Sequence, residues 1–458
     1  MALVGGFMVP HPPMIIPGVG KGSEITIKKT IDSYEEISKE IASLEPDTII
    51  ISSPHSVMYS DYFHISPGHS ADGSFVSFGD DKTHFNEEYD VDLVLEIEKE
   101  CKKASFPAGT LGEKDSSLDH GTMVPLYFIR KRYHNFKIVR IGLSGLSLAE
   151  HYQFGMIIQS TIERSNKRIV YIASGDLSHK LQTNGPYGFV KEGPIYDERI
   201  IKTMSLGNFG ELLEYDESFL DKVSECGHRS FTIMAGVFDG ISVQSKFYSH
   251  EDITGVGYGI CSYYPEYLDN NRKYLDRYLE KEKKRIQMLP NDSYVSLARK
   301  TIHEYIKNGK VISVPNDLPM EFNYRAGVFV SLHKFGLLRG CIGTFLPVTN
   351  SIAEEIIRNA IASSTEDDRF SPVRIDELDY LEINVDVLST PEKISSIEEL
   401  NPKKYGVIVS SGFKRGLLLP DLDGIDTIDK QISIARRKGN IKDDEEIRLE
   451  RFEVIRHR

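Results

Sequence analysis

The chain has 458 residues, enough for two or three domains that each bury a core. Its apolar fraction of 40% and charged fraction of 27% are those of an ordinary soluble protein, and a net charge of -13 argues against a nucleic-acid binder, which usually shows a basic face. The cysteines Cys101, Cys226, Cys261 and Cys341 show neither CxxC nor metal-finger spacing, so they read as free thiols of a reducing cytosol rather than a disulfide framework.

The first segment, MALVGGFMVPHPPMIIPG, lacks a basic start, and His and Pro interrupt its apolar run. It reads as neither a signal peptide nor a membrane span, and a soluble, cytoplasmic protein is expected. Leu3–Val9 is a buried strand by its apolar run. Ile31, Tyr34, Ile37, Ile41 and Leu44 follow at helical spacing, Pro46-Asp47 breaks the chain, and Thr48–Ser53 is a β-branched buried strand. This strand–helix–strand unit implies a parallel sheet. Phe136–Leu143, a helix over Leu148–Ile162 and a strand over Arg168–Ala173 repeat the signal. Asp119 caps a helix through Ile129, and Glu225 precedes another over Phe231–Phe238.

The expected architecture is therefore α/β over residues 1–262, with a mostly parallel sheet. Residues 263–290 mix tyrosines with alternating charge and read as a charged helical linker ended by Pro290. Residues 291–458 read as a smaller α+β domain. Its signals are an opening helix, a hairpin about Lys334-Phe335-Gly336, a helix over Ile352–Ala362 and later alternating strands.

Open α/β sheets gather ligands beyond the carboxyl ends of their strands. His11 follows the first strand, His55 follows Thr48–Ser53, and His179 follows Arg168–Ala173. Three strands thus deliver a histidine to the same edge, and the flanking Pro10, Pro12 and Pro54 stiffen the first two loops. For any one of them, a packing role in a loop is the plain alternative.

Two histidines and a carboxylate make a facial metal site. Glu225 is the candidate carboxylate, and Cys226 is a competing ligand from the same loop. Adjacent side chains diverge, so both cannot easily face one ion. A thiolate favours copper or zinc, and a carboxylate favours iron(II) or manganese. His120 and His179 suit proton transfer. Asp176 either supports His179 or caps a turn.

At these residues the chain resembles the class III, protocatechuate-type extradiol ring-cleavage dioxygenases, and their Memo-like relatives most. The matching pieces are VPHPP at 9–13, SPHS at 53–56, LDHG at 118–121, SGDLSH at 174–179, GPYG at 185–188 and ECG at 225–227. The resemblance implies an oxidoreductase of aromatic compound metabolism, with Fe(2+) held by His11, His55 and Glu225. It also implies a small aromatic diol or aminophenol and dioxygen as substrates, and His179 and His120 as substrate-binding and acid/base groups. Memo-like relatives carry a Cys-Gly pair where Cys226-Gly227 stands, which keeps Cys226 as the alternative ligand and Mn, Zn or Cu as alternative metals.

The second half resembles the AMMECR-type domain through LRGCIG at 338–343, DRF at 368–370 and RGLLLP at 415–420. That family's members occur beside Memo-like and radical-SAM proteins, which implies a shared modification pathway and a radical-SAM protein as partner. Arg339 and Cys341 are two residues apart on a strand and so share a face. Arg339 there would favour a Cys341 thiolate, and a small cysteine buried where backbones approach closely is the plain alternative. Against the dioxygenase stand a hydrolytic metal enzyme of the same pocket and a non-catalytic interaction protein. A homo-oligomer is left open, and no membrane contact is expected.

Overall fold

The computed structural model describes residues 2–114, 117–290, 292–422 and 424–458. The chain forms two units, Met1–Lys281 and Glu282–Arg458, and each is described by itself.

Six strands make the main sheet of the first unit: β1 (Leu3–Val9), β2 (Thr48–Ser53), β3 (Lys137–Gly142), β4 (Ile169–Ser174), β5 (Ile241–Glu251) and β6 (Tyr258–Leu268). Their order is β3-β2-β4-β1-β6-β5. The first four run parallel, and β6 and β5 join antiparallel at the β1 edge. β2 and β4 are buried at every residue, as parallel strands covered on both faces must be. Helices α1 (Lys28–Leu44) and α2 (His120–Arg130) cover one face, where Tyr34 stacks on Phe128 at 4.4 Å. Helices α3 (Leu148–Ile162) and α4 (His228–Val237) pack behind the other.

Local signals explain several of these elements. Asp119 caps α2 by accepting from the Thr122 N–H at 3.0 Å. Ser147 and Glu150 form a capping box that starts α3. The α3–α4 contact depends on two glycines. A Cβ on Gly155 would stand 2.0 Å from the Ile233 oxygen, and one on Gly236 would stand 2.0 Å from the Tyr152 oxygen. The two helices therefore touch backbone to backbone. This holds the C-terminal turn of α4 tightly on α3.

The expected linker begins too early. Tyr263, Tyr264 and Pro265 pair with Ser245, Gln244 and Val243, so β6 runs on to Leu268 as part of the sheet. Tyr263 is fully buried there, with its hydroxyl donating to the Met204 carbonyl. Tertiary burial overrides the charged, helix-like reading of this stretch. The charged helix itself, α5 (Tyr274–Met288), starts afterwards. Among the described residues, no helix is long and apolar enough to cross a membrane.

The second unit carries an antiparallel sheet of β7 (Gly327–Lys334), β8 (Leu337–Gly343), β9 (Leu381–Leu388), β10 (Tyr405–Ser411), β11 (Lys414–Leu418) and β12 (Arg448–His457). The order is β8-β7-β9-β12-β10-β11, with Glu392–Lys393 pairing on β12. The expected hairpin joins β7 to β8, and Phe335 and Gly336 take positive φ in its turn. Helices α6 (Ser293–Asn308) and α7 (Ile352–Thr365) pack on β7 and β9, and α8 (Ile428–Lys438) packs on β10 and β11.

Arg339 does not activate Cys341. Its guanidinium grips both oxygens of Glu377 at 2.9 and 2.8 Å, and also donates to the Ser371 and Pro372 carbonyls. Burial pushes the Cys341 thiol up; Arg369 opposes that shift, and Asp386 and Asp367 add to it. Gly340 sits where a Cβ would meet the Ser363 oxygen at 2.1 Å, so the glycine beside Cys341 serves close packing against α7.

Glu377 is the ionic hub of this region, with side-chain exposures of 5% for Glu377, 13% for Arg339 and 12% for Lys334. Burial opposes its charge, but hydrogen bonds and charges from Arg339 and Lys334 prevail and hold its carboxyl at about 2. A depressed carboxyl contributes stability above its unfolded value of about 4.3 and loses it as pH falls toward the folded one. Glu377→Gln is expected to cost about 3 kcal/mol, because two half-buried cations lose the carboxylate that balances their charge. Urea unfolding of the full chain at pH 7 measures this. The loss should shrink as pH is lowered from about 4.5 toward 2.

Candidate metal centre

The parallel strands β1, β2 and β4 end at one edge of the sheet, with Val9 beside Ser174 in register. β4 lies between the other two, so its following loop, residues 174–179, runs between the His11 and His55 loops. Tyr34 on α1 fixes the first loop by donating its hydroxyl to the Pro10 carbonyl.

His11 is 1% exposed and fully engaged except at one atom. Its N–H donates to Asp176 Oδ1 at 2.8 Å, and its Nδ1 lies 2.9 Å from Ser174 Oγ. Ser174 has one hydroxyl proton and donates it to the Gly121 carbonyl at 2.6 Å. The serine must therefore accept from His11, which puts the ring proton on Nδ1 and leaves the Nε2 lone pair bare. That atom is 3.0 Å from His55 Nε2 and 3.5 Å from Cys226 Sγ. His11, His55 and Cys226 each present one ligand atom, all within 4.8 Å of one another. Two imidazole nitrogens and a sulfur that converge in this way are a donor set that suits a cation.

Glu225 is not in this group. Its carboxylate turns back and accepts the His228 N–H at 2.6 Å at the start of α4, and burial raises it to about 7. The expected third ligand is thus engaged as a helix-start acid, because adjacent side chains diverge and only one can face the histidines. Cys226 takes the corner. Its sulfur accepts the Asp176 N–H at 3.2 Å. Burial and the nearby Asp176 push its thiol well above its ordinary range, an order that a bound cation inverts. A carboxylate does stand close by, but it is Asp176, with Oδ2 4.0 Å from His11 Nε2. Burial raises that carboxyl to about 6, against the His11 N–H and the His179 and His55 rings.

The two expected proton-transfer histidines flank the corner. His120, the first residue of α2, lies 3.9 Å from His55 ring to ring. Burial, then His55 and His11, hold its imidazole down at about 3, so it is neutral at physiological pH. Asp119 supports this side by accepting from Ser53 Oγ at 2.5 Å. His179 is also lowered by burial, and its Nε2 is buried without a hydrogen-bond partner. Two exposed aromatic rings lie beside these histidines: Phe78 lies 5.3 Å from His120, and Tyr187 lies 5.1 Å from His179. His228 lies away from the site, buried with Nε2 on the Leu212 carbonyl. Ser174 and Phe78 were not singled out from the sequence. Ser174 stands inside the SGDLSH piece and could have been, whereas nothing around Phe78 marks it.

A family profile described as the catalytic LigB subunit of aromatic ring-opening dioxygenase matches residues 5–261, and one described as AMMECR1 matches residues 295–457. Protein CA_C1420 of Clostridium acetobutylicum is 40% identical over 468 residues, covering 100% of both chains. A Thermotoga maritima protein is 49% identical over 174 residues, 37% of this chain and 100% of its own. Among solved structures, protein PH0010 from Pyrococcus horikoshii matches 36% of this chain and 88% of its own at 33% identity and a TM-score of 0.33. Protein JW3007 from Escherichia coli K12 matches 57% of this chain and 99% of its own at 12% identity and a TM-score of 0.40.

The donor geometry separates the two candidate ligands by experiment. Cys226→Ser is expected to lower zinc or cobalt(II) affinity by roughly 100-fold or more, while Glu225→Gln changes it by less than about threefold; the reverse order would restore Glu225 as the ligand. Ser174→Ala frees the His11 ring and should cost about 10–100-fold. Both imidazoles are held down by burial and the thiol is held up. Binding then releases about one proton, and apparent affinity rises about tenfold per pH unit between pH 6.5 and 8, read by competition with a chromogenic chelator.

Proposed function

The chain belongs to the family of the catalytic LigB subunit of aromatic ring-opening dioxygenase, with an AMMECR1 domain fused behind it, and on that premise we propose that its first unit opens the ring of an aromatic diol or aminophenol with dioxygen. The observation that carries this reading is the His11 Nε2, left as an acceptor and facing His55 and Cys226, with neutral His120 and His179 nearby. His11, His55 and Cys226 would hold the ion. A ferrous ion there would supply the one-electron chemistry that lets dioxygen react with an aromatic ring.

The chain's own residues supply the rest. A diol must lose a phenolic proton to become electron-rich, and a histidine already neutral near pH 7 can take it. His120 and His179 both border the donor corner, and whichever accepts the phenolic proton holds it as imidazolium and can return that same proton later in the turnover. The rings of Phe78 and Tyr187 give a flat aromatic molecule apolar walls.

A second reading rests on the sulfur. Two imidazoles and a thiolate are a donor set that zinc accepts readily, and zinc activates water rather than dioxygen. Protein reconstituted with iron(II) under anaerobic conditions and then mixed with a catechol and aminophenol panel separates the two. Oxygen uptake with a yellow ring-opened product is expected, and His120→Gln should lower kcat by roughly 10²–10⁴-fold. No oxygen uptake with any of the panel sinks the dioxygenase reading. Turnover of an ester or amide by the zinc form under strict anaerobiosis would establish the second. The association of the second unit with a radical-SAM protein is a proposal that rests on the family's company alone.

A further inference from the structure

The donor corner is richer than one ion requires. Asp176, His179 and Cys226 also present one ligand atom each, all within 4.8 Å of one another. Two sets of three donors therefore meet at one sulfur. In the second set, His179 Nε2 is buried with no hydrogen-bond partner. Leaving such a nitrogen unpaired is costly, and a ligand would recover that cost. The backbone places it there: the His179 N–H donates to the Val223 carbonyl, and Tyr187 packs on the ring. Asp176 spends Oδ1 on the His11 N–H, and its Oδ2 stands between the two sets, 4.0 Å from His11 Nε2.

We propose that Asp176, His179 and Cys226 form a second divalent-cation position beside the one framed by His11, His55 and Cys226, with the Cys226 sulfur as the shared corner. A thiolate has lone pairs for two cations, and its single charge together with the Asp176 carboxylate offsets part of the repulsion between them. Imidazole, carboxylate and thiolate around one ion suit zinc or cobalt(II) better than magnesium or calcium, which prefer oxygen alone. The proposal rests on the reading of the corner as a metal centre, and not on ring opening. With the second position filled, the His179 ring nitrogen that binds the ion is no longer a proton acceptor. Double loading and proton transfer are thus alternative uses of one atom.

The test is a cobalt(II) titration of the chelator-stripped full chain, followed by visible absorption and by metal analysis after gel filtration. The wild type is expected to take up two equivalents in two steps. His179→Ala and Asp176→Asn should each retain the first step and lose the second, which leaves one equivalent. In the doubly loaded wild type, X-ray absorption should show metal–metal scattering at about 3.5–4 Å. A wild type that stops at one equivalent, lost in His11→Ala, overturns the second position and leaves the first centre standing. Two equivalents that survive both His179→Ala and Asp176→Asn overturn it as well. No cobalt uptake by the wild type removes the metal reading and the proposal together.

Discussion

Gly175 and Gly227 touch backbone to backbone, and the donor corner depends on that contact. A Cβ on Gly175 would stand 2.0 Å from the Gly227 Cα, closer than any side chain can be tolerated. One glycine follows β4, and the other immediately precedes α4. Because neither has a side chain, the loop carrying Cys226 lies directly on the loop carrying Asp176. The sulfur then meets the Asp176 N–H and comes within reach of His11. A bulkier residue at either position would lift Cys226 away from the histidines that it completes.

The helix α4 is also held from behind the sheet. Gly155 and Gly236 let α3 approach at backbone distance the last turn of α4, a helix whose start is His228. Glu225 then caps that start by taking the His228 N–H, and its neighbour in sequence is left facing the other way. One helix position thus decides two side chains at once. On the β1 side, the Ser174 hydroxyl links the His11 ring to the Gly121 backbone. His11 and Cys226 are held by these hydrogen bonds, so their ligand atoms are oriented before any ion arrives.

Much of this architecture is legible in the order of the residues. Apolar runs of strand length, followed by histidines, mark the ends of β1, β2 and β4, and the parallel sheet then gathers those ends at one edge. Asp119 and the Lys334-Phe335-Gly336 turn act through neighbours only a few residues away, so local chemistry is enough to find them. The continuation of β6 through Tyr263 is not legible in this way. Its tyrosines and charges match a solvated helix by spacing, and only pairing with β5 and burial against the molecule make it a strand. Arg339 is a similar case. Proximity along the strand suggests service to Cys341, but its guanidinium is drawn to Glu377, 38 residues away.

By itself, the sequence determined that two histidines from separate strand ends and one residue of the Glu225-Cys226 pair would meet, because strand periodicity and the parallel sheet bring those loops to a common edge. Which member of the pair faces the histidines was decided only in the tertiary structure. Consecutive side chains point apart, and the choice between them rests on where α4 starts and how closely Gly227 can lie on Gly175. The second is a packing distance between segments about 50 residues apart, to which no local pattern is sensitive.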